Sequence, residues 1–359
     1  MRLEDLGWNE FFDTHFSTFN DATLGPARVT GVSKKYFRVH DGRSETLATV
    51  SGRFFHDVSQ ATLFPTVGDW VVTKGGVIID VLPRANAISR GASGNRGKIS
   101  GLPVEVQIIA ANIDTAFIVC GLDRDYNLRR IERYLTLVYN CGCSPVVLLN
   151  KGDIHHQPED FVDEVSSVAI GVPVYLISAK AATGLNALTP YLGPGKTVVL
   201  MGSSGAGKST LVNRLAGADI RVAREVSDAV GKGVHTTTSR DLIRLPAGGM
   251  IIDNPGIREI AFWENAAGID GVFPDIEELA LGCRFSDCSH LHEPGCRVQE
   301  AVQSGDLAME RLENYRKMQR ELAYLSERRA KTAGRVEKER WQPVALKVKE
   351  IKRNKKGKY

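Results

Sequence analysis

One stretch of this chain restricts its fold more than any other. Gly202-Ser203-Ser204-Gly205-Ala206-Gly207-Lys208-Ser209 fits the pattern G-x-x-x-x-G-K-[ST]. It follows the apolar run Thr197-Val198-Val199-Leu200-Met201 and precedes Thr210-Leu211-Val212, where a helical pattern begins. Glycines let successive backbone N–H groups curl round an anion, and the start of the following helix adds a favourable dipole. Such a loop needs a strand behind it and a helix ahead. The residues from Gly202 to Thr210 therefore read as a phosphate cradle. Lys208 is expected on the β- and γ-phosphates and Ser209 on Mg²⁺.

The surrounding rhythm supports a parallel α/β sheet. Short apolar runs recur at 115–120, 145–149, 172–176 and 197–201, and Leu128 to Tyr139 carries apolar residues at helical spacing. Two further motifs follow strands of this series. Asn150-Lys151-Gly152-Asp153 is the N-K-x-D pattern. Its Asp153 can accept both donors on the guanine edge, Lys151 would cover the base plane and Asn150 would brace the loops. Ser178-Ala179-Lys180 follows the next strand, and its backbone N–H groups suit the guanine O6. Downstream, Ile251-Ile252-Asp253-Asn254-Pro255-Gly256 is a strand ending in D-x-x-G. Asp253 is expected to hold Mg²⁺ and the Gly256 N–H to sense the γ-phosphate. Upstream of that strand lies a polar loop with His235 and Thr236-Thr237-Thr238, and one of these three threonines would complete the Mg²⁺ shell. The ligand implied is GTP or GDP with Mg²⁺.

The order of these motifs is unusual. In most GTPases the phosphate loop comes first; here N-K-x-D and S-A-K precede it. A parallel sheet tolerates such a permutation, because the site needs loops at the carboxyl ends of adjacent strands and not one chain order.

Six cysteines are present, and three of them cluster with a histidine as Cys283-x4-Cys288-x-His290-x5-Cys296. Three thiolates and an imidazole form a closed four-coordinate set, suited to one structural Zn²⁺. His292 could substitute for His290, which is preferred. Cys120, Cys141 and Cys143 read as core residues. Near the N-terminus, five short β-like runs between 28 and 81 suggest a small barrel, of OB or SH3-like type. A helical segment is expected from about Val298 to Arg329. The last 33 residues, from Glu327, hold 13 Lys/Arg against 4 Asp/Glu, so a basic tail follows a mildly acidic body in a chain of net charge +4. That asymmetry suits a polyanion such as RNA, or a solvated tail. No run approaches the ~18 apolar residues of a membrane span, and the N-terminus does not read as a signal peptide, so the expectation is a cytoplasmic protein without a membrane.

Together these residues resemble the RsgA (YjeQ) family of circularly permuted GTPases that depend on the small ribosomal subunit. The resemblance runs from about Arg28 to about Tyr315. Its carriers include Val67-Gly68-Asp69-Trp70-Val71, Leu82-Pro83-Arg84, Ala111-Asn112-Ile113-Asp114 and the motifs above. It departs in two places: the usual D-R-Y-L reads Glu132-Arg133-Tyr134-Leu135, and Asn254 stands where Thr or Ser is usual. The resemblance implies a multidomain chain: an N-terminal OB-type β-barrel, a central α/β P-loop GTPase domain (circularly permuted) and a C-terminal zinc-binding helical domain. The expected divisions are an arm at 1–25, the barrel at 26–95, the GTPase domain at 98–262, the zinc and helical domain at 263–325, and the tail at 326–359. It also implies late maturation of the small (30S) ribosomal subunit, contact with its rRNA, and hydrolysis stimulated by that subunit. A monomer is expected. The attacking water poses a problem: Ile257, just after D-x-x-G, cannot hydrogen-bond it. His235 is the candidate to position it, alongside Lys208 and Asp253.

Overall fold

The computed structural model describes residues 1–33, 36–52, 54, 64–91, 106–217, 240–253, 272–309, 311–320 and 323. His235, Thr236 to Thr238, Asn254, Gly256, Ile257 and the basic tail lie outside the described residues.

Five strands form a closed circuit: β1 (Gly25–Val32), β2 (Phe37–His40), β3 (Glu45–Val50), β4 (Trp70–Lys74) and β5 (Val77–Val81). β1 pairs with β2 and β4, β2 with β3, β4 with β5, and β3 runs parallel to β5. This is the OB-type barrel, which the strand pattern alone could not separate from an SH3-like one. Ala27, Val29, Val39, Ala48, Val71 and Ile78 fill its interior. On β4 the side chains alternate: Val71 points in, while Trp70 and Val72 point out.

The N-terminal arm covers that outer face. Asn9 caps helix α1 (Glu10–Phe16) by accepting from the Phe11 and Phe12 N–H groups, and the helix lays Phe12 and Phe16 beside Trp8. The Trp8 ring lies edge-on to Trp70 at 4.7 Å between centroids. Met250, from the α/β sheet, joins the same apolar cluster.

A two-stranded ribbon, β6 (Ala87–Gly91) with β7 (Val106–Ala111), leads from the barrel to the α/β part. There the sheet comprises β8 (Thr115–Gly121), β9 (Ser144–Asn150), β10 (Val174–Leu176), β11 (Thr197–Met201), β12 (Arg240–Arg244) and β13 (Met250–Asp253), in the order β10-β9-β8-β11-β13-β12. All pairings are parallel except that of β12 with β13. β12 also pairs with β1 through Gly31 and Val32, so the sheet runs on into the barrel. β6, β7 and β12 are not among the strands the apolar runs predict. β12 reads Arg-Asp-Leu-Ile-Arg, too polar to resemble its buried neighbours.

The strands alternate between two cores. Ala116, Ile118, Val147, Leu149, Val199 and Met201 face helices α2 (Leu128–Asn140) and α3 (Glu159–Val168). Phe117, Val119, Val146, Leu148, Val198 and Leu200 face α4 (Lys208–Ala216). The C-terminal helices α5 (Pro274–Ala280) and α6 (Arg297–Ser304), with helical residues 311–320, join the α2–α3 side through Phe273, Ile276, Val298, Leu312, Tyr315 and Met318. The expected single helical segment from Val298 is thus broken. Gly305, at φ 86, ends α6 in the left-handed conformation and Leu307 turns back into the core.

Candidate functional site

From β8 the chain steps outward to β9 and β10, then returns to β11 on the other side of β8. Ligands of open α/β sheets bind at such a reversal, outside the carboxyl ends of the strands. Every motif read from the described sequence lies at that edge. The N-K-G-D loop ends β9, S-A-K follows β10, the phosphate loop follows β11, and Asp253 ends β13.

The phosphate loop is drawn tightly under the sheet. At Gly202, φ is +138 and a Cβ would sit 2.2 Å from the Val119 carbonyl oxygen, so only glycine fits. Lys208, at the start of α4, folds back over the loop. Its ammonium donates to the carbonyls of Gly202 at 2.6 Å and Ser203 at 2.5 Å. Ser204, Gly205 and Thr210 are exposed, while Ala206 is buried beneath them. Ser209 stands half-buried in the first turn of α4, and Asp253 half-buried at the end of β13, which pairs in parallel with β11. Both offer the oxygen donors a hard cation such as Mg²⁺ takes.

Asn150 joins the loops. Its side chain is buried, its Nδ2 donates to the Ala206 carbonyl at 2.8 Å, and its Oδ1 accepts from the Ala179 N–H at 2.9 Å. One amide therefore ties three loops of the sequence reading together. Lys151 takes a left-handed backbone at φ 69, and the Gly152 N–H donates to the Ile177 carbonyl at 3.1 Å. Asp153 is exposed, and a hydrogen bond from the Ser178 hydroxyl holds its carboxyl below the usual range. An exposed, ionised carboxylate beside a fixed turn can accept from two parallel donors. Arg214 of α4 fastens the S-A-K turn from behind by donating to the carbonyls of Ala179 at 3.2 Å and Lys180 at 3.0 Å. Sequence reasoning passes over the loop after β8, 121–127, which lines the same edge; its polar residues match no motif.

The second cluster lies between α5 and α6. The ligand atoms of Cys283, Cys288, His290 and Cys296 all fall within 4.8 Å of one another. His290 Nδ1 is 3.4 Å from Cys296 Sγ and 3.6 Å from Cys283 Sγ, and the two sulfurs are 3.9 Å apart. A tetrahedral Zn²⁺ with ordinary Zn–S and Zn–N bonds has edges of about 3.5–3.8 Å, so the Cys283, His290 and Cys296 atoms stand close to the spacing of such a site, with Cys288 Sγ within 4.8 Å of them. His290 adopts φ 58, and burial holds its pKa below normal, leaving the neutral imidazole that binds metal. Burial, with the Cys283 and Cys296 sulfurs nearby, pushes the Cys288 thiol up to about 11. His292 is exposed and outside the cluster. Cys296 also caps α6, its sulfur accepting from the Gln299 N–H at 3.4 Å.

Arg311 seats this module on the α/β part. It donates to both oxygens of Asp275 at 2.6 and 2.7 Å and to Glu132 of α2 at 2.9 Å, and lies 4.8 Å over the Phe273 ring. Among the described residues no helix is long and apolar enough to cross a membrane.

Comparison with known proteins agrees with this architecture. A family model described as the RsgA GTPase matches residues 81–263. A small ribosomal subunit biogenesis GTPase RsgA of Syntrophotalea carbinolica is 46% identical over 329 residues, 90% of each chain. The crystal structure of YjeQ from Thermotoga maritima superposes with a TM-score of 0.62 at 27% identity, covering 84% of this chain and 99% of that one. The structure of YloQ, described as a circularly permuted GTPase, superposes at 0.58 over 86% of this chain and 97% of its own; at 24% identity that likeness speaks for the fold.

Proposed function

Because the chain belongs to the RsgA GTPase family, and so hydrolyses GTP, we propose that it does so as a late maturation factor of the small (30S) ribosomal subunit. In this reading the subunit stimulates hydrolysis, the barrel and the zinc module grip its rRNA, and the chain acts as a monomer. The observation that carries the nucleotide assignment is Asn150, whose one buried side chain ties the N-K-G-D, S-A-K and phosphate loops into a single site.

Asp153 reads guanine through its two edge donors, because a base lacking that pair leaves the carboxylate unsatisfied. Lys151 covers the base, and the N–H groups of the S-A-K turn face its O6. Lys208 leaves the Gly202 and Ser203 carbonyls for the β- and γ-phosphates, exchanging neutral acceptors for charged ones. Ser209 and Asp253 hold Mg²⁺, which when bound offsets charge on the phosphate oxygens. The Gly256 N–H reports on the γ-phosphate, one of Thr236, Thr237 and Thr238 completes the metal shell, and His235 positions the attacking water in place of Ile257. Cys283, Cys288, His290 and Cys296 hold a structural Zn²⁺. The basic tail adds salt-dependent affinity for RNA.

The test is GTP hydrolysis by the purified protein with and without small ribosomal subunits, with Asp153→Asn as the base-specificity control. We expect strong stimulation by the subunit and a weakened preference for guanine in the variant. Tight GTP binding that the subunit leaves unstimulated would point to another activating partner.

A further inference from the structure

The loop after β8 carries no nucleotide motif, yet it touches both ends of the site. Its sequence is Gly121-Leu122-Asp123-Arg124-Asp125-Tyr126-Asn127. Two bonds fasten it to the base-reading turn: the Leu122 N–H donates to the Asn150 carbonyl at 2.8 Å, and the His155 ring bonds the Leu122 carbonyl. Asn127 then caps α2 by accepting from the Arg130 N–H at 3.0 Å. The loop is thereby fixed at both ends and cannot swing freely from the edge.

Between those anchors runs an unbroken line of polar contacts. The Lys151 ammonium donates to Asp123 Oδ2 at 2.5 Å. The other oxygen of Asp123 accepts from the Asp125 N–H at 3.2 Å. The Asp125 carboxylate pairs with the Arg130 guanidinium, which donates to Ser203 Oγ at 2.6 Å. The Ser203 carbonyl in turn accepts the Lys208 ammonium. The line therefore joins the lysine of the N-K-G-D loop to the lysine of the phosphate loop. Packing reinforces the first link: a Cβ on Gly121 would lie 2.9 Å from Asp123 Oδ1 and 3.3 Å from Lys151 Cε, so Lys151 lies directly over that glycine.

We propose that Asp123 and Arg130 are positioning residues of the nucleotide site, Asp123 holding the Lys151 stem over the base and Arg130 setting the mouth of the phosphate loop through Ser203. The proposal rests on the reading of 150–153 and 202–209 as the two ends of a guanine nucleotide site. Neither residue touches the nucleotide in this scheme; each acts through a residue that does. The two ends should separate kinetically. Asp123 acts on a contact equally present with GDP, GTP and the transition state, so its loss weakens binding without slowing turnover at saturation. Arg130 acts where charge moves, so its loss lowers the turnover number.

The experiment measures fluorescent GDP and GTP-analogue affinity and single-turnover hydrolysis for wild type, Asp123→Asn, Asp123→Glu, Arg130→Met and Arg130→Lys. The unfolding midpoint of each nucleotide-free variant is recorded alongside. Both side chains are partly exposed, Asp123 36% and Arg130 42%, so these variants should fold. We expect Asp123→Asn to weaken GDP and the GTP analogue alike by about tenfold, with turnover at saturation unchanged, and Asp123→Glu to recover part of the loss. Arg130→Met should lower turnover by about tenfold, and Arg130→Lys less. Wild-type affinity and turnover in both Asp123→Asn and Arg130→Met would overturn the proposal, as would losses that track a lowered unfolding midpoint. If wild type itself bound no guanine nucleotide, the underlying reading would fail first, which distinguishes the two failures.

Discussion

Asn150 shows how much of this site hangs on single side chains. Its carboxamide has one donor and one acceptor engaged by backbone groups from two other loops, all out of water. Asn150→Ala would leave the Ala206 carbonyl and the Ala179 N–H without that partner, each loss costing roughly 1–3 kcal/mol. We expect urea unfolding of the nucleotide-free variant to show a loss of about 2–4 kcal/mol, with GDP affinity falling further still. Asn150→Asp keeps the acceptor for Ala179 but sets a buried carboxylate oxygen against the Ala206 carbonyl, so its GDP affinity should fall at least as far as that of Asn150→Ala. Gly207 tests the same spot from the other side. At φ +96 a Cβ there would stand 2.1 Å from Asn150 Nδ2, so Gly207→Ala must push the amide out of place and should weaken nucleotide binding as Asn150→Ala does. Residues of this kind are legible in sequence when they sit in a motif whose spacing reflects the ligand. Asp123 and Arg130 are not, because their partners, Lys151 and Ser203, are 28 and 73 positions away. Only the fold brings those residues together.

At the scale of elements, the apolar runs predict the buried strands well because parallel strands covered on both faces must be apolar throughout. β12 escapes that rule as a polar strand between β13 and the barrel, and the expected helix from Val298 breaks at Gly305 because a glycine in left-handed geometry outweighs the helical spacing around it. Helix α6 depends on the cysteine cluster in a way periodicity does not reveal. Cys296 belongs to the cluster and caps the helix, and Val298 and Ala301 then face the core. If the cluster holds Zn²⁺, Cys296→Ser or chelation should uncap α6 and loosen the module, read as lost helical circular dichroism and a lowered melting temperature that added zinc restores only in wild type. Helix α2 carries a pH-dependent term. Burial pushes the Glu132 carboxyl up to about 7 from 4.5, while Arg311 and Asn314 pull it down and Asp275 adds to the rise. The folded state then keeps a proton that the unfolded chain releases near 4.5. This contribution is therefore full below about pH 4.5 and is lost as the pH rises through 7. Urea midpoints at pH 5 and pH 8 should fall more steeply for wild type than for Glu132→Gln, which cannot titrate.

At the scale of the whole molecule, one arginine sits where arm, barrel and GTPase sheet meet. Arg28 of β1 is fully buried, although a charged residue in a β-like run ordinarily reads as solvent-facing. Its guanidinium donates to the carbonyls of Leu6 in the arm, Gly68 in the barrel and Asn112 ahead of β8, and lies over the Trp70 ring at 5.7 Å. No carboxylate bonds it among the described residues. Burial lowers its pKa to about 10, with Asp114 and Asp69 opposing the shift, so it stays charged at neutral pH. A cation in that position is compensated only when all three segments are docked, which makes it a check on assembly as well as a contact. Deleting residues 1–19 would remove the Leu6 carbonyl and uncover Trp70, Leu82 and Met250 together. Arg28→Met isolates the electrostatic part, since a methionine fills much of the space and carries no charge, but leaves three carbonyls without their donor. No charge is stranded by this change, but leaving three buried carbonyls without their donor costs roughly 3 kcal/mol or more in total, at about 1–3 kcal/mol each. We expect Arg28→Met to lose about that much in urea unfolding and to expose the barrel–GTPase junction to limited proteolysis. The arm deletion should go further and shift the Trp fluorescence to longer wavelength as Trp70 meets water. An Arg28→Met protein as stable and as protease-resistant as wild type would show that the apolar packing of the arm, without the guanidinium, is enough to hold barrel and sheet together.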